Sequence, residues 1–272
     1  MGYLTTDKKK ITAKTFLEMK EAGEKITMLT AYDYTTAGII DAAGIDSILI
    51  GDSASNVMAG NADTIPITVD QMIYHARSVA RACNHCLVLC DMPFGSYQIS
   101  REDGVRNAIR MMKESGVDAL KMEGGIEIAD TVKAIVDAGI PVMGHLGLTP
   151  QSIHKFGGYG LRAKEEAEAA KLLADAKALD EAGVFGITLE KVPAKLAAEV
   201  TRSVKAATIG IGAGNGTDGQ VLVYADALGM TQGFKPKFLR HFANVNQEMT
   251  KGVQDYIKCV KDVSFPNENE SY

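Results

Sequence analysis

The sequence predicts an α/β protein: a single (β/α)8 barrel, the TIM-barrel fold, over residues 1–272, with an extra N-terminal helix and a C-terminal helical tail. Three observations predict it. Short apolar runs alternate with helical stretches along the chain, the signature of βα units. Four of those runs end in an acid: Asp52 closes SILIGD, Asp91 closes LVLCD, Glu123 closes ALKME and Glu190 closes GITLE, and three follow a helical stretch ending in Ala-Gly or Ser-Gly. The length of 272 residues suits one such barrel, which typically takes about 250, and no Pro/Ser/Gly-rich linker divides it.

Residues 12–22 read as a leading helix ended by Gly23, before a first strand at 26–32. Asp33 caps the next helix, with Ala37, Ile39, Ile40 and Ala43 on its apolar face and Gly44 as its stop. The second strand is 46–51, followed by a loop of small residues to Pro66. Thr68 and Gln71 form a capping box for a helix striped by Val69, Met72, Ile73, Ala76 and Val79. The third strand is 86–91; Ser100 and Asp103 then open a helix with Val105, Ala108, Ile109 and Met112 on one face, ended by Gly116. The fourth strand is 118–123, with a helix carrying Ile128, Val132, Ile135 and Val136 after it, and the fifth is 141–145. The connection LGLTPQSIHKFGGYGLRAK is far longer than the usual 2–6 residues and reads as a lid or substrate loop. A helix with Leu172, Leu173, Ala176 and Leu179 leads to the sixth strand, 184–190. A helix at 194–206, strands at 207–212 and 220–226 and a tail helix from Lys237 to Lys261 complete the chain, with Phe238, Phe242, Val245, Met249 and Val253 on the tail's apolar side.

Composition narrows the function. A net charge of −5 and a pI near 5.6 argue against a nucleic-acid or anionic-membrane surface. Lys8-Lys9-Lys10 is short and terminal, and reads as a solvated tail. No apolar stretch approaches the ~20 residues of a membrane span, and the N-terminus lacks a signal-peptide core, so a cytoplasmic protein is expected. Cys83, Cys86, Cys90 and Cys259 do not form a disulfide-style pattern. The Cys83/Cys86 pair has no second ligand pair for structural zinc, so it reads as apolar packing.

In a barrel the C-terminal strand ends converge on one mouth. Residues i and i+2 of a strand share a face, so Lys121 and Glu123 point the same way, with Asp52 and Asp91 at equivalent places on the two preceding strands. Carboxylate oxygens suit a hard cation such as Mg²⁺, which makes Asp52, Asp91 and Glu123 candidate metal ligands. Helix capping is the alternative for any of them, and is favoured for Asp33 and Asp226. Glu190, on the far side of the ring, can face a substrate held on the metal as general base; a salt bridge to Lys191 is the alternative. His145 ends the fifth strand beside the long loop, as a core group or a substrate contact. Ser53 can donate to a substrate carboxylate or cap a turn. The glycines from Gly210 to Gly216 suit tight packing better than a nucleotide site, because a strand follows them rather than a helix.

The motifs MLTAYD (28–33), IGDS (50–53), DMPFGSY (91–97), KMEGG (121–125), GHLGLTPQS (144–152), FGGY (156–159), IGIGAG (209–214) and TDGQVLV (217–223) occur in one order. Together they resemble the ketopantoate hydroxymethyltransferase family, over about Lys25 to Gly233. The stretch ASNVMAG after Asp52-Ser53 departs from the Leu-Gly-Met more usual there. The resemblance implies a Mg²⁺-dependent enzyme of pantothenate biosynthesis that moves a one-carbon unit from 5,10-methylenetetrahydrofolate onto 3-methyl-2-oxobutanoate, giving 2-dehydropantoate. It places Asp52, Asp91 and Glu123 at the metal, with Glu123 binding directly or through water. Asp52, Ser53, Asp91, Lys121 and His145 fall at substrate contacts and Glu190 at the base. It also implies a large homo-oligomer, often a decamer. The rivals are a Mg²⁺-dependent carbon–carbon lyase or mutase on a related barrel, a Schiff-base aldolase using Lys121, and a non-catalytic binding protein.

Overall fold

The structure is a computed structural model that describes residues 10–233 and 235–272, so Lys8 and Lys9 of the basic cluster lie outside the described residues. Lys10 ion-pairs with Asp118 at 2.8 Å rather than trailing in solvent. The chain divides into two compact units, one ending at Leu222 and one running from Val223 to Tyr272.

The first unit contains, in order, α1 (Ala13–Ala22), β1 (Ile26–Thr30), α2 (Tyr34–Ala42), β2 (Ser47–Ile50), α3 (Ala54–Val57), α4 (Val69–Ala82) and β3 (Leu87–Asp91). It continues through α5 (Arg101–Ser115), β4 (Ala119–Glu123), α6 (Ile126–Asp137), β5 (Val142–Gly147), a 3₁₀ turn (Pro150–Ser152) and α7 (Ile153–Phe156). It ends with α8 (Glu166–Glu181), β6 (Gly186–Glu190), α9 (Ala194–Ser203), β7 (Ala207–Ile211) and β8 (Gly219–Leu222). The strands pair in parallel in the order β1 to β8, and β8 closes on β1. The (β/α)8 barrel is therefore present.

Local chemistry sets the helix ends. Thr12 and Thr15 bond reciprocally as a capping box, and Gly23 ends α1 in the left-handed region. Asp33 accepts the Thr36 N–H, Thr68 and Gln71 make the box that opens α4, Ser100 accepts the Asp103 N–H, and Gly116 ends α5. The N-terminal end of the barrel is filled by Phe16 of α1, which packs with Ile26, Leu87, Ala119 and Ala207 at the strand starts and meets Phe185 edge-on at 5.6 Å. Lys20 reinforces this closure, donating to the Thr201 and Ala206 carbonyls and pairing with Asp218.

Aspartates also pin the strand starts to one another. Asp46 accepts the Thr27 N–H at 2.8 Å, Asp118 the Val88 N–H at 3.0 Å and Asp218 the Thr208 N–H at 2.8 Å. Each sits just before one strand and holds the N–H of its neighbour, giving a partner to a backbone donor at the strand start.

Two helix faces differ from the sequence expectation. On α2, Ile39 is exposed and Asp41 is buried, because the Asp41 carboxylate accepts the N–H groups of Asn84, His85 and Cys86 at the entry to β3. On α5 the buried row is Gly104, Ala108, Met111 and Ser115, while Ile109 is exposed. A Cβ on Gly104 would lie 2.6 Å from Thr131 Cγ2, so the glycine lets α5 approach α6 here more closely than the Val105/Ile109 side could.

In the second unit, Tyr224–Ala227 is a short helix, α10, where the sequence suggests continued strand. The Asp226 and Ala227 N–H groups bond locally to the Val223 carbonyl. The tail helix, α11, runs from Val245 to Lys261 instead of starting at Lys237. The N–H groups of Phe242 and Val245 bond to the Ala227 and Leu228 carbonyls, so the chain before α11 folds against the turn after α10. No described helix is long and apolar enough to cross a membrane.

Candidate active site

Strand register brings the sequence-predicted acids together. Asp91 on β3 is in register with Lys121 on β4, and Glu123 on β4 with His145 on β5. Parallel register partners project to the same side, and the side chains meet. Lys121 Nζ lies 2.7 Å from Asp91 Oδ1, and His145 Nδ1 lies 3.1 Å from Glu123 Oε1. Asp52, two residues beyond β2, donates its N–H to Asp91 Oδ2 at 3.0 Å. Asp52, Asp91, Lys121, Glu123 and His145 are all buried.

This cluster carries more negative than positive charge. Burial raises the Asp52 carboxyl well above the usual carboxylate range, and the charges of Asp91 and Glu123 raise it further. Burial also lifts Asp91, although Lys121 opposes it. For Glu123, burial is more than offset by His145, Lys121 and the Gln151 N–H, so its carboxyl lies below its ordinary value. Burial and Lys121 push His145 down, but the Glu123 and Glu190 carboxylates outweigh them and bring it to about 9.

Glu190 ends β6, where Gly147 of β5 is its register partner. Gly147 adopts φ +89°, and a Cβ there would lie 2.3 Å from the Glu190 carbonyl oxygen. Only glycine lets the two strand ends close at this point. Glu190 Oε2 stands 3.3 Å from His145 Nε2, and its side chain is 16% exposed, whereas the Glu123 side chain is 3% exposed. Glu190 is therefore the acid of the group that faces the open mouth. Lys191 follows at φ +46°, turning the chain sharply out of the barrel. Lys191 reaches the Tyr159 carbonyl rather than Glu190.

Ser53 occupies the N-cap position of α3 without a side-chain cap bond; its hydroxyl lies 2.7 Å from the Tyr32 hydroxyl. The long β5–α8 connection is held by one internal stacking contact and by contacts to Lys191 and Asp63 outside it. The Arg162 N–H donates to the Lys191 carbonyl, its guanidinium stacks 4.0 Å above Phe156, and His154 approaches Asp63 at 3.4 Å. The glycine run after β7 packs tightly, since a Cβ on Gly214 or Gly216 would strike Ala194 or Ala198 of α9.

The family model described as ketopantoate hydroxymethyltransferase matches residues 10–268. The chain belongs to the ketopantoate hydroxymethyltransferase family. Its relatives include proteins named 3-methyl-2-oxobutanoate hydroxymethyltransferase from Christiangramia forsetii, 60% identical over all of both chains, and from Bacteroides fragilis, 59% identical over 100% of this chain and 99% of that one. Among solved structures, the fold resembles a putative phosphonomutase from Burkholderia cenocepacia, with TM-score 0.65, 16% identity and coverage of 82% of this chain and 97% of that one. It also resembles a phosphonopyruvate hydrolase solved with oxalate and Mg²⁺, with TM-score 0.61, 12% identity and coverage of 95% and 93%.

Within this family member, sequence reading missed two parts of the mouth. Gln151 and Tyr97 are buried between the acids, Gln151 touching both Asp52 and Glu123. The TPQS and GSY motifs contained them, but neither carries a charge that would single it out. Sequence reading also gave the Cys83/Cys86 pair no further ligand. The fold brings Asp41 to it, with ligand atoms all within 4.8 Å of one another, and the Asp41 carboxylate serves the backbone of that bend.

Proposed function

We propose that this chain transfers a one-carbon unit from 5,10-methylenetetrahydrofolate to C3 of 3-methyl-2-oxobutanoate, consuming one water and giving 2-dehydropantoate and tetrahydrofolate. The observation that carries the proposal is the buried charge imbalance at the mouth, where Asp52, Asp91 and Glu123 crowd one another in excess of their cationic partners. That donor set is all oxygen, buried and anionic, and it fits a hard divalent cation. Asp52, Asp91 and Glu123 would hold Mg²⁺. When bound, the ion supplies Lewis-acid stabilisation of negative charge developing on the oxygens of the oxo acid.

The protein's own groups account for the rest. Lys121, fixed by Asp91 at 2.7 Å, keeps a positive charge beside the substrate's carboxylate and keto oxygens. Ser53 supplies a hydroxyl for the substrate carboxylate. Glu190 accepts the C3 proton, and His145 at 3.3 Å holds the Glu190 carboxylate toward the mouth. C3 then bonds to the folate's methylene carbon and the two carbon–nitrogen bonds to that methylene break; water provides the hydroxyl, and the freed nitrogens take up one proton from that water and the one held by Glu190.

The same reading places the protein in the cytoplasm as a homo-oligomer, a decamer by the family resemblance. The exposed side chains of Tyr34, Ile39, Tyr74 and Ile109 offer apolar surface for subunit contacts. The deciding assay combines purified protein with both substrates. Product formation that stops with EDTA and returns with Mg²⁺ is expected. No hydroxymethyl product under any metal condition would overturn the proposal, and cleavage of the oxo acid without folate would favour the carbon–carbon lyase.

A further inference from the structure

Gln151 lies at the start of the long β5–α8 connection, is buried, and uses every polar atom it directs at the mouth. Its backbone N–H donates to Glu123 Oε2 at 2.9 Å. Its side-chain Nε2 donates to Asp52 Oδ2 at 2.9 Å and to the Met92 carbonyl at 3.0 Å. Its Oε1 accepts from the Tyr97 hydroxyl at 2.7 Å and from Gln98 Nε2 at 3.2 Å.

The Met92 carbonyl sets the direction of these bonds: it can only accept, and it takes Gln151 Nε2. The amide oxygen then turns toward Tyr97, whose hydroxyl accepts the Glu123 N–H at 3.1 Å and reaches both the Glu123 carbonyl at 3.2 Å and Gln151 Oε1 at 2.7 Å, the shorter contact. The reverse orientation would set the amide oxygen against the Met92 carbonyl. One uncharged residue thus holds an oxygen of Asp52, from the end of β2, and an oxygen of Glu123, from the end of β4. It leaves the other oxygen of Asp52 to face elsewhere, and it does so without adding a charge to a site already rich in carboxylates.

We propose that Gln151, oriented by Tyr97, is a positioning residue that presents Asp52 and Glu123 to the divalent cation and so sets the affinity of the ion site. The inference rests on the metal reading given under Proposed function. Partners of this kind, one bond removed from a metal, typically change affinity by about 10- to 100-fold when lost.

The test uses Mn²⁺ as probe, since it also suits oxygen ligands and its free fraction is read by electron paramagnetic resonance without substrate or turnover. Five proteins are titrated, with thermal unfolding measured alongside: the unmodified chain, Gln151→Met, Tyr97→Phe, Ile153→Ala and Asp91→Ala. Gln151→Met keeps the bulk and removes the amide; it is expected to raise the Mn²⁺ Kd by about 10- to 100-fold. Tyr97→Phe frees the amide to rotate and is expected to weaken binding in the same direction, which keeps the test open if the Met variant does not fold. Ile153→Ala removes a neighbouring buried side chain of the same loop, and should lower the unfolding temperature with Kd unchanged. An unchanged Kd in both Gln151→Met and Tyr97→Phe, or an equal loss in Ile153→Ala, overturns the positioning role while leaving the metal reading intact. No Mn²⁺ binding by the unmodified chain overturns both, and full affinity in Asp91→Ala removes Asp91 from the ligand set.

Discussion

Replacing Glu190 with glutamine separates binding from proton removal. Glutamine keeps the volume of the side chain, and at 16% exposure the site can solvate an amide, so the barrel and the oxo-acid pocket should survive. The remaining acids are buried more deeply than Glu190 and are turned to partners inside the cluster. Asp91 is held by Lys121 at 2.7 Å, Asp52 by Gln151 at 2.9 Å, and Glu123 by His145 at 3.1 Å. With the base removed, the full contribution of general-base catalysis is lost, about 10²- to 10⁴-fold, which corresponds to roughly 2.7–5.4 kcal/mol of barrel-mouth transition-state stabilisation. The assay is exchange of the C3 hydrogen of 3-methyl-2-oxobutanoate in D₂O, followed by NMR without folate, so that only the proton step is read. Calorimetry with the oxo acid should give a Kd close to that of the unmodified chain. Exchange within a few-fold of normal would refute the assignment of Glu190 as base.

Three further outcomes follow from the same geometry. Asp91→Ala removes an acid that contacts both Lys121 and the Asp52 N–H, and should weaken Mg²⁺ binding measured by calorimetry; an unchanged affinity would remove Asp91 from the ligand set. Phe16→Ala, at a site with no exposure, should cost about 3–5 kcal/mol and lower the melting temperature by roughly 10 °C, while an effect near zero in calorimetric unfolding would show that α1 does not close the barrel. Asp41 has a depressed carboxyl pKa because, although burial raises it, the three N–H donors of the 84–86 bend lower it more. Its contribution is thus fully present above the ordinary value of 3.8 and lost as pH falls through the lower folded value. The stability gap between the unmodified chain and Asp41→Asn in urea unfolding should be constant from pH 7 to 5 and shrink below about pH 4, and a gap that widens with acid would contradict this account.

The barrel was legible because its signals are local. A capping threonine, a left-handed glycine or an apolar strand run needs only a few neighbours, and Thr12, Thr68, Ser100, Gly23 and Gly116 do what their types suggest. The acids at the mouth were legible for a related reason, since strand ends of a parallel barrel must converge. What escaped depends on partners far along the chain. Gln151 meets Asp52 ninety-nine positions away, and no charge or period marks it. The buried faces of α2 and α5 depart from their hydrophobic pattern because a distant set of N–H groups and a small residue also decide which side turns inward. Asp41 is buried by distant N–H groups, and Gly104 draws its side of α5 inward by being small. The ends of β8 and α11 moved because local backbone bonding outweighed the apolar pattern.

The aspartates that pin the strand starts have a bearing on how defects in this enzyme are read. Asp118 holds Val88 at the entry to β3 and stands at the head of β4, the strand that delivers Lys121 and Glu123. Strands rise by about 3.3 Å per residue, so Asp118 and Glu123 are separated by roughly 16 Å. A strand is nonetheless a stiff rod whose far tip goes where its near end is anchored. Damage to such an anchor reaches the chemistry as misalignment, without any contact with the reactants. A fall in turnover after substitution of Asp46, Asp118 or Asp218 is then a fault in alignment rather than the mark of a catalytic group, and it should be accompanied by altered exchange of the anchored Thr27, Val88 or Thr208 amide.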